Sequence, residues 1–339
     1  MPPGPTNTIV DVPGLQVGHA ELTGEGALSG TTVVLPDPEG AVAGVDVRGG
    51  GPGTRETDAL DPRTLVERVH AVVLTGGSAY GLAAASGVAD ALGAAGRGFP
   101  VGGPGEVVPV VPAAVVFDLG RGGDFTARPT AELGAAALAA CSGTAPAQGV
   151  VGAGCGTLVG GIKGGVGSAS DVLADGSVVA ALVVVNAAGS AVDAATGELW
   201  SARHLGAGDV EPPALPGDRA ALLTALRDAA APPTLNTTIG VVATDAGLSV
   251  AQCAKLAAVG HDGLARAVRP VHGMTDGDTL FGLATATRPA PDLAGVQEIL
   301  TAGADCVTRA VAHAVLAARS VPTPAGYWRS YRDLVAGAV

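Results

Sequence analysis

Short β-branched runs alternate with alanine-rich stretches of helical length along most of this chain, and that alternation restricts it to layered α/β architectures. Thr31 to Leu35, Ala41 to Val47, Ala71 to Thr75, Val107 to Phe117, Ser177 to Asn186, Thr237 to Thr244 and Thr279 to Thr285 read as strands. Between them, Tyr80 to Ala95, Thr130 to Ala140, Ser249 to Gly260 and Asp292 to Arg319 read as helices. The last is apolar around most of its circumference, so it is expected between layers or subunits. Aromatic residues make up 3% of the chain and glycines number 53, so the layers must meet through small side chains at short distances. The 339 residues are expected to form one large α/β domain, 1–339.

The formal charge of -12 argues against a surface built for phosphate backbones or anionic lipid, which require clustered Lys and Arg. Neither nucleic acid nor membrane is an expected partner. The start, Met1-Pro-Pro-Gly-Pro-Thr-Asn, has no basic region followed by an apolar one, so a cytoplasmic location is expected. The apolar run Val178 to Val185 has strand length, far below the ~20 residues of a membrane span. Cys141, Cys155, Cys253 and Cys306 are widely separated and read as buried free thiols.

From Arg203 to Leu235 the pattern breaks, with prolines at 212, 213, 216, 232 and 233 around one short helix. This segment, 203–235, reads as an exposed, flexible linker. Directly after it, at Asn236-Thr237-Thr238-Ile239, a β-branched strand begins. An Asn-Thr pair ordinarily does no more than start a strand. Here it also has the layout of a self-cleaving nucleophile, with a hydroxyl residue first in a strand after a segment able to move away. Attack of the Thr237 hydroxyl on the Asn236 carbonyl would divide the chain into 1–236 and 237–339. The new α-amino group of Thr237, with an ordinary pKa of about 8, would then serve as base for its own hydroxyl.

Four other features carry polar groups to places where chemistry is possible. Asp276 and Asp278, in Thr275-Asp-Gly-Asp-Thr279, form either a polar turn or a carboxylate pair that orients Thr237. With His272 they offer an alternative, metal-dependent reading, although the further ligand of a closed site is missing. Lys163 lies in the glycine-rich stretch 152–167, where backbone can approach a ligand closely. That stretch fits the dinucleotide pattern GxGxxG poorly, since Val159 stands where the third glycine belongs. Asn186 ends an apolar strand and either opens a turn or donates to a developing oxyanion. Gly76 to Gly81, with Tyr80, is a tight connection or a loop presenting N–H groups at a helix start. No metal or cofactor motif beyond these is apparent, and the remaining histidines form no Ser/His/Asp constellation.

Taken in order, Pro13-Gly-Leu-Gln-Val-Gly18, Val45-Asp-Val-Arg-Gly-Gly50, Leu74-Thr-Gly-Gly-Ser-Ala-Tyr80, the Lys163 loop, Val185-Asn186, Asn236-Thr237-Thr238-Ile239 and Asp276-Gly-Asp278-Thr279-Leu-Phe281 resemble the L-aminopeptidase/D-esterase (amidase) peptidase family. That family includes β-aminopeptidases and nylon-oligomer hydrolases. The resemblance runs from about Val12 to Arg319. It implies a four-layer αββα sandwich, self-cleavage before the nucleophile, no cofactor, and a homo-oligomer of two-chain protomers, often a tetramer. It makes Thr237 the nucleophile, Asp276 and Asp278 its orienting carboxylates, and Lys163 and Asn186 supporting residues. The expected substrates are short amides and peptides such as small aminoacyl amides, with 6-aminohexanoate oligomers as a side activity. One departure is Phe117, which stands where the nylon-oligomer branch has a tyrosine beside the substrate carbonyl. Its donor role would pass to Tyr80 or to backbone amides. The rival outside the enzyme class is a non-catalytic protein that keeps the fold.

Overall fold

The computed structural model describes residues 1–229 and 235–337. In chain order its main strands are β1 (Leu15–Glu21), β2 (Gly30–Pro36), β3 (Ala41–Val47), β4 (Thr54–Arg55), β5 (Arg68–Val69), β6 (Val72–Thr75), β7 (Ala113–Val115), β8 (Gly165–Val172), β9 (Val178–Val185), β10 (Ile239–Thr244) and β11 (Thr279–Ala284). The helices are α1 (Ala83–Ala94), α2 (Ala131–Ala139), α3 (Ala220–Ala229), α4 (Val250–Ala267), α5 (Leu293–Ala317) and α6 (Tyr331–Ala336).

The strands form two sheets, one ordered β1-β2-β6-β7-β4 and the other β8-β9-β10-β11-β3-β5. Alternation along β9 shows how the layers stack. Ala180, Leu182 and Val184 enter a core shared with Val34, Val72 and Leu74 of the first sheet. Ala181, Val183 and Val185 face the other way, into a core with Leu256 of α4 and Val307 and Val311 of α5. On the outer face of the first sheet, Val33 and Val73 pack on Ala84 and Val88 of α1 and Ala137 of α2. The resulting order is helices, sheet, sheet, helices. A strand covered on both faces needs an unbroken apolar run, which is why β9 reads as one.

Glycine sets the spacing between layers. A Cβ at Gly167 of β8 would lie 2.0 Å from the Ala310 carbonyl oxygen of α5. One at Gly263 of α4 would lie 2.3 Å from the Ala304 carbonyl oxygen. α4 therefore runs past Gly260, its expected end, to Ala267, because the glycines in it serve the crossing with α5 rather than a stop. Similarly, the last three residues of the glycine-rich stretch around Lys163, from Gly165, are not a ligand loop but the start of strand β8 under α5. The expected strand Val107 to Phe117 splits into Val107–Val108 and β7, since Pro109 and Pro112 cannot donate to a ladder. α5 is long and apolar enough to cross a bilayer by length and composition, yet 89% of its most apolar window is buried within the fold. Three of the four free cysteines are buried and Cys141 is half-buried.

The proline-rich segment is more tied down than its composition suggests. Asp209 is paired with Arg309 and His313 of α5, at 2.8 and 3.0 Å, and Leu222 of α3 is buried in the core beneath. Residues 230–234 of the expected linker, with Pro232 and Pro233, lie outside the described residues.

Candidate active site

Strand register assembles the site. β9 and β10 are antiparallel, with Val184 opposite Ile239. Two residues further the same register sets Asn186 opposite Thr237, and the Thr237 N–H donates to the Asn186 carbonyl at 2.5 Å. β10 and β11 run parallel with an offset of 40 residues, which places Gly277 beside Thr237 and Asp278 beside Thr238. The junction is buried, with Asn236 7% and Thr237 4% exposed.

The Thr237 hydroxyl donates to the Asn236 carbonyl oxygen, so the oxygen that would attack lies against the group it would attack. The Gly277 N–H donates to that same hydroxyl oxygen at 3.1 Å. Only glycine fits at 277, where a Cβ would lie 2.8 Å from Thr237 Oγ1 and 2.5 Å from the Gly51 carbonyl oxygen.

The two carboxylates flank Thr237 without bonding to it. Asp278 Oδ1 accepts the Thr238 N–H at 2.7 Å, and its Oδ2 accepts the His272 N–H at 3.1 Å and lies 2.8 Å from His272 Nδ1. Asp276 Oδ1 accepts the Ala188 N–H at 3.1 Å. Burial holds the Asp276 carboxyl above the usual range, the Ala188 N–H opposes this and the nearby charge of Asp278 adds to it. The expected direct contacts to Thr237 are absent for a simple reason. In the uncut chain its nitrogen is an amide with one hydrogen, already given to Asn186, and no ammonium exists for the carboxylates to hold.

His272, Asp276 and Asp278 do not converge as ligands. His272 spends Nδ1 on Asp278, and among the described residues no group of three or more His, Cys, Asp or Glu is placed to hold a metal ion. Its ring meets that of His261 edge-on at 4.8 Å, and burial pushes His261 down to about 4.

Lys163 is fully buried and donates to the carbonyls of Thr157, Gly154 and Gly164 at 2.8, 3.0 and 3.3 Å. Burial pushes its amine down to about 7, against the pull of Cys155, while Arg121 repels it further. Among the described residues its hydrogen bonds do not reach Thr237. It ties down the 154–157 loop.

Arg121 is the residue that sequence reasoning missed. It is 7% exposed, and its Nη1 donates to the Gly156 carbonyl at 2.7 Å and to Asn186 Oδ1 at 2.5 Å. Its Nη2 donates to Asn236 Oδ1 at 2.8 Å, so one guanidinium joins the Lys163 loop, the β9 end and the residue before Thr237. Burial pushes Arg121 down to about 10 and buried Asp118 opposes the shift. The one clue was an arginine among glycines in Gly120-Arg121-Gly122-Gly123, and nothing in that pattern named its partners.

Asn186 also accepts the Leu158 N–H at 3.0 Å, and its amide donates to the Phe117 carbonyl at 3.2 Å. Phe117 thus contributes through its backbone, as an acceptor rather than as the missing donor. Tyr80 is 56% exposed with the Arg128 guanidinium stacked 3.8 Å from its ring centre, and its hydrogen bonds do not reach Thr237 among the described residues. The Gly76–Gly81 loop is a tight connection: the N–H groups of Gly76, Gly77 and Ser78 go to the Gly30 carbonyl, Asp118 and the Val116 carbonyl.

The fold is that of known amide hydrolases. A β-aminopeptidase from a Burkholderia species superposes with a TM-score of 0.74 at 23% identity, over 99% of this chain and 95% of that one. An L-aminopeptidase D-Ala-esterase/amidase from Ochrobactrum anthropi, described as a variant of the Ntn-hydrolase fold, gives 0.73 at 23% identity over 98% and 93%. The model of peptidase family S58 matches residues 7–328, and the chain belongs to that family. It is an enzyme that hydrolyses amide or peptide bonds. Among its sequence relatives, an uncharacterized aminopeptidase of Mycobacterium tuberculosis is 48% identical over 98% of this chain and 99% of its own length. A 6-aminohexanoate-oligomer endohydrolase of Paenarthrobacter ureafaciens is 32% identical over 84% of this chain and 77% of its own length.

Proposed function

We propose that this chain cuts itself between Asn236 and Thr237 and then hydrolyses short amides and peptides with Thr237 as nucleophile. The observation that carries the reading is the Thr237 hydroxyl seated on the Asn236 carbonyl at a buried strand start, with the Gly277 N–H on the same oxygen. In the first step Oγ1 bonds to the Asn236 carbonyl carbon, the C–N bond breaks, and the hydroxyl proton passes to the Thr237 nitrogen. Water then hydrolyses the ester, leaving a carboxylate on Asn236 and a free hydroxyl and amine on Thr237.

In turnover that amine takes the hydroxyl proton, Oγ1 attacks the substrate carbonyl, and the proton leaves with the amine product. Water regenerates the hydroxyl. Asp276 and Asp278, which accept the Ala188 and Thr238 N–H groups, would orient the new ammonium, which in turn would favour their charged forms. Asn186 fixes the Thr237 nitrogen, and Lys163 acts indirectly by holding the loop whose Gly156 carbonyl accepts from Arg121. Small aminoacyl amides are the proposed substrates, with 6-aminohexanoate oligomers a side activity suggested by the 32% relative.

The test is release of p-nitroaniline from aminoacyl p-nitroanilides, run beside hydrolysis of a 6-aminohexanoate oligomer. Turnover should rise with pH as the Thr237 amine, with an ordinary pKa of about 8, loses its proton. Thr237→Ala should abolish turnover. Undiminished turnover by that variant would remove Thr237 from the mechanism.

A further inference from the structure

We propose that Arg121 selects the acyl half of the substrate, favouring amides whose acyl residue carries a side-chain carbonyl or carboxylate where the Asn236 amide now sits. The inference rests on Thr237 being the nucleophile. The ester made during self-cleavage and the ester made during turnover are then the same bond to the same oxygen. The space that holds Asn236 beside that oxygen is therefore space that a substrate acyl group can enter once the end of 1–236 has moved. Arg121 lines that space on the side-chain end, where its Nη2 donates to Asn236 Oδ1 at 2.8 Å.

The chemistry of Arg121 makes it more than a neighbour. Its guanidinium is buried, its other hydrogen bonds go to neutral oxygens of Gly156 and Asn186, and it takes part in none of the ion pairs among the described residues. When Asn236 leaves, Nη2 loses an acceptor in a buried setting. An acyl residue that restores the acceptor binds with that donor satisfied, and one with a hydrocarbon side chain of equal size leaves it unpaired. A carboxylate adds direct charge attraction, since Asp118, the acidic group that acts on the Arg121 guanidinium, does so without a side-chain hydrogen bond or ion pair to it.

The experiment compares kcat/KM of the cut enzyme for asparaginyl, aspartyl and leucyl p-nitroanilides, whose side chains are close in size. The expected result is a preference of about tenfold or more for the two with an acceptor. Arg121→Met should bring the ratios toward one. A second measurement needs neither added substrate nor an Arg121 variant: Asn236→Leu should cut itself about tenfold more slowly than Asn236→Asp. Leucyl turnover equal to asparaginyl turnover in the wild type, or equal self-cleavage of the two Asn236 variants, overturns the role of Arg121 while leaving Thr237 as nucleophile. Cut enzyme that turns over none of the three anilides overturns both readings.

Discussion

At the scale of single residues, Thr237 is governed by atoms supplied from two other strand ends. Its nitrogen is fixed by Asn186 and its oxygen by Gly277. Gly277→Ala places a methyl group 2.8 Å from Oγ1 and 2.5 Å from the Gly51 carbonyl oxygen, so self-cleavage should slow by about tenfold or more, read as the uncut fraction over time. Cutting at the native rate would show that the hydroxyl tolerates displacement. Lys163 gives a pH test. Its folded pKa is depressed to about 7, so between there and its unfolded value the unfolded chain binds the extra proton, and stability rises with pH. Wild type should therefore gain on Lys163→Met by about 1 kcal/mol per pH unit between pH 7 and 9, measured by denaturant unfolding. A constant difference would mean that the amine keeps its charge throughout that range. The places of Thr237, Asn186, Asp276 and Asp278 in the fold were legible in the sequence because each sits near where a strand begins or ends. Arg121 was not, because its partner Asn236 is 115 residues away and an arginine among glycines carries no signature of what it will reach. The pairing of His272 with Asp278 depended on a turn whose path no local pattern fixes.

At the scale of elements, the strands and helices legible in the sequence were those with one strong period. β3 was read to the residue, and α5 within two residues at each end, because apolar patterning and the Asp292 cap agree. β1 was not expected, and of β8 only its first three residues were considered, as the end of a glycine-rich stretch, because neither strand carries a run of β-branched residues. Their glycines answer to the neighbouring layer instead. Gly167→Ala should cost about 2 kcal/mol or more, since its Cβ would lie 2.0 Å from the Ala310 carbonyl oxygen. Gly143→Ala, whose Cβ meets nothing within 4 Å, should change stability by less than about 0.5 kcal/mol. Similar losses in both, measured by denaturant unfolding, would contradict the view that glycine sets the interlayer distance.

At the scale of the whole molecule, the proposed cut falls inside the larger sheet. β10 and β11 belong to 237–339, yet they lie between β9 and β3 of 1–236. The two pieces share that sheet and its cores on both faces, so under native conditions they should elute as one species and separate only on denaturation. The sandwich itself was expected from the family resemblance, whereas the sheet order was not, since it depends on pairings between strands far apart in the chain. The central claim is self-cleavage by Thr237, and the most direct measurement is intact mass under denaturing conditions on freshly purified protein. The account predicts two masses, for 1–236 and 237–339, from wild type and a single mass of 339 residues from Thr237→Ala. A single full-length mass from active wild type, or the same two fragments from Thr237→Ala, would contradict it.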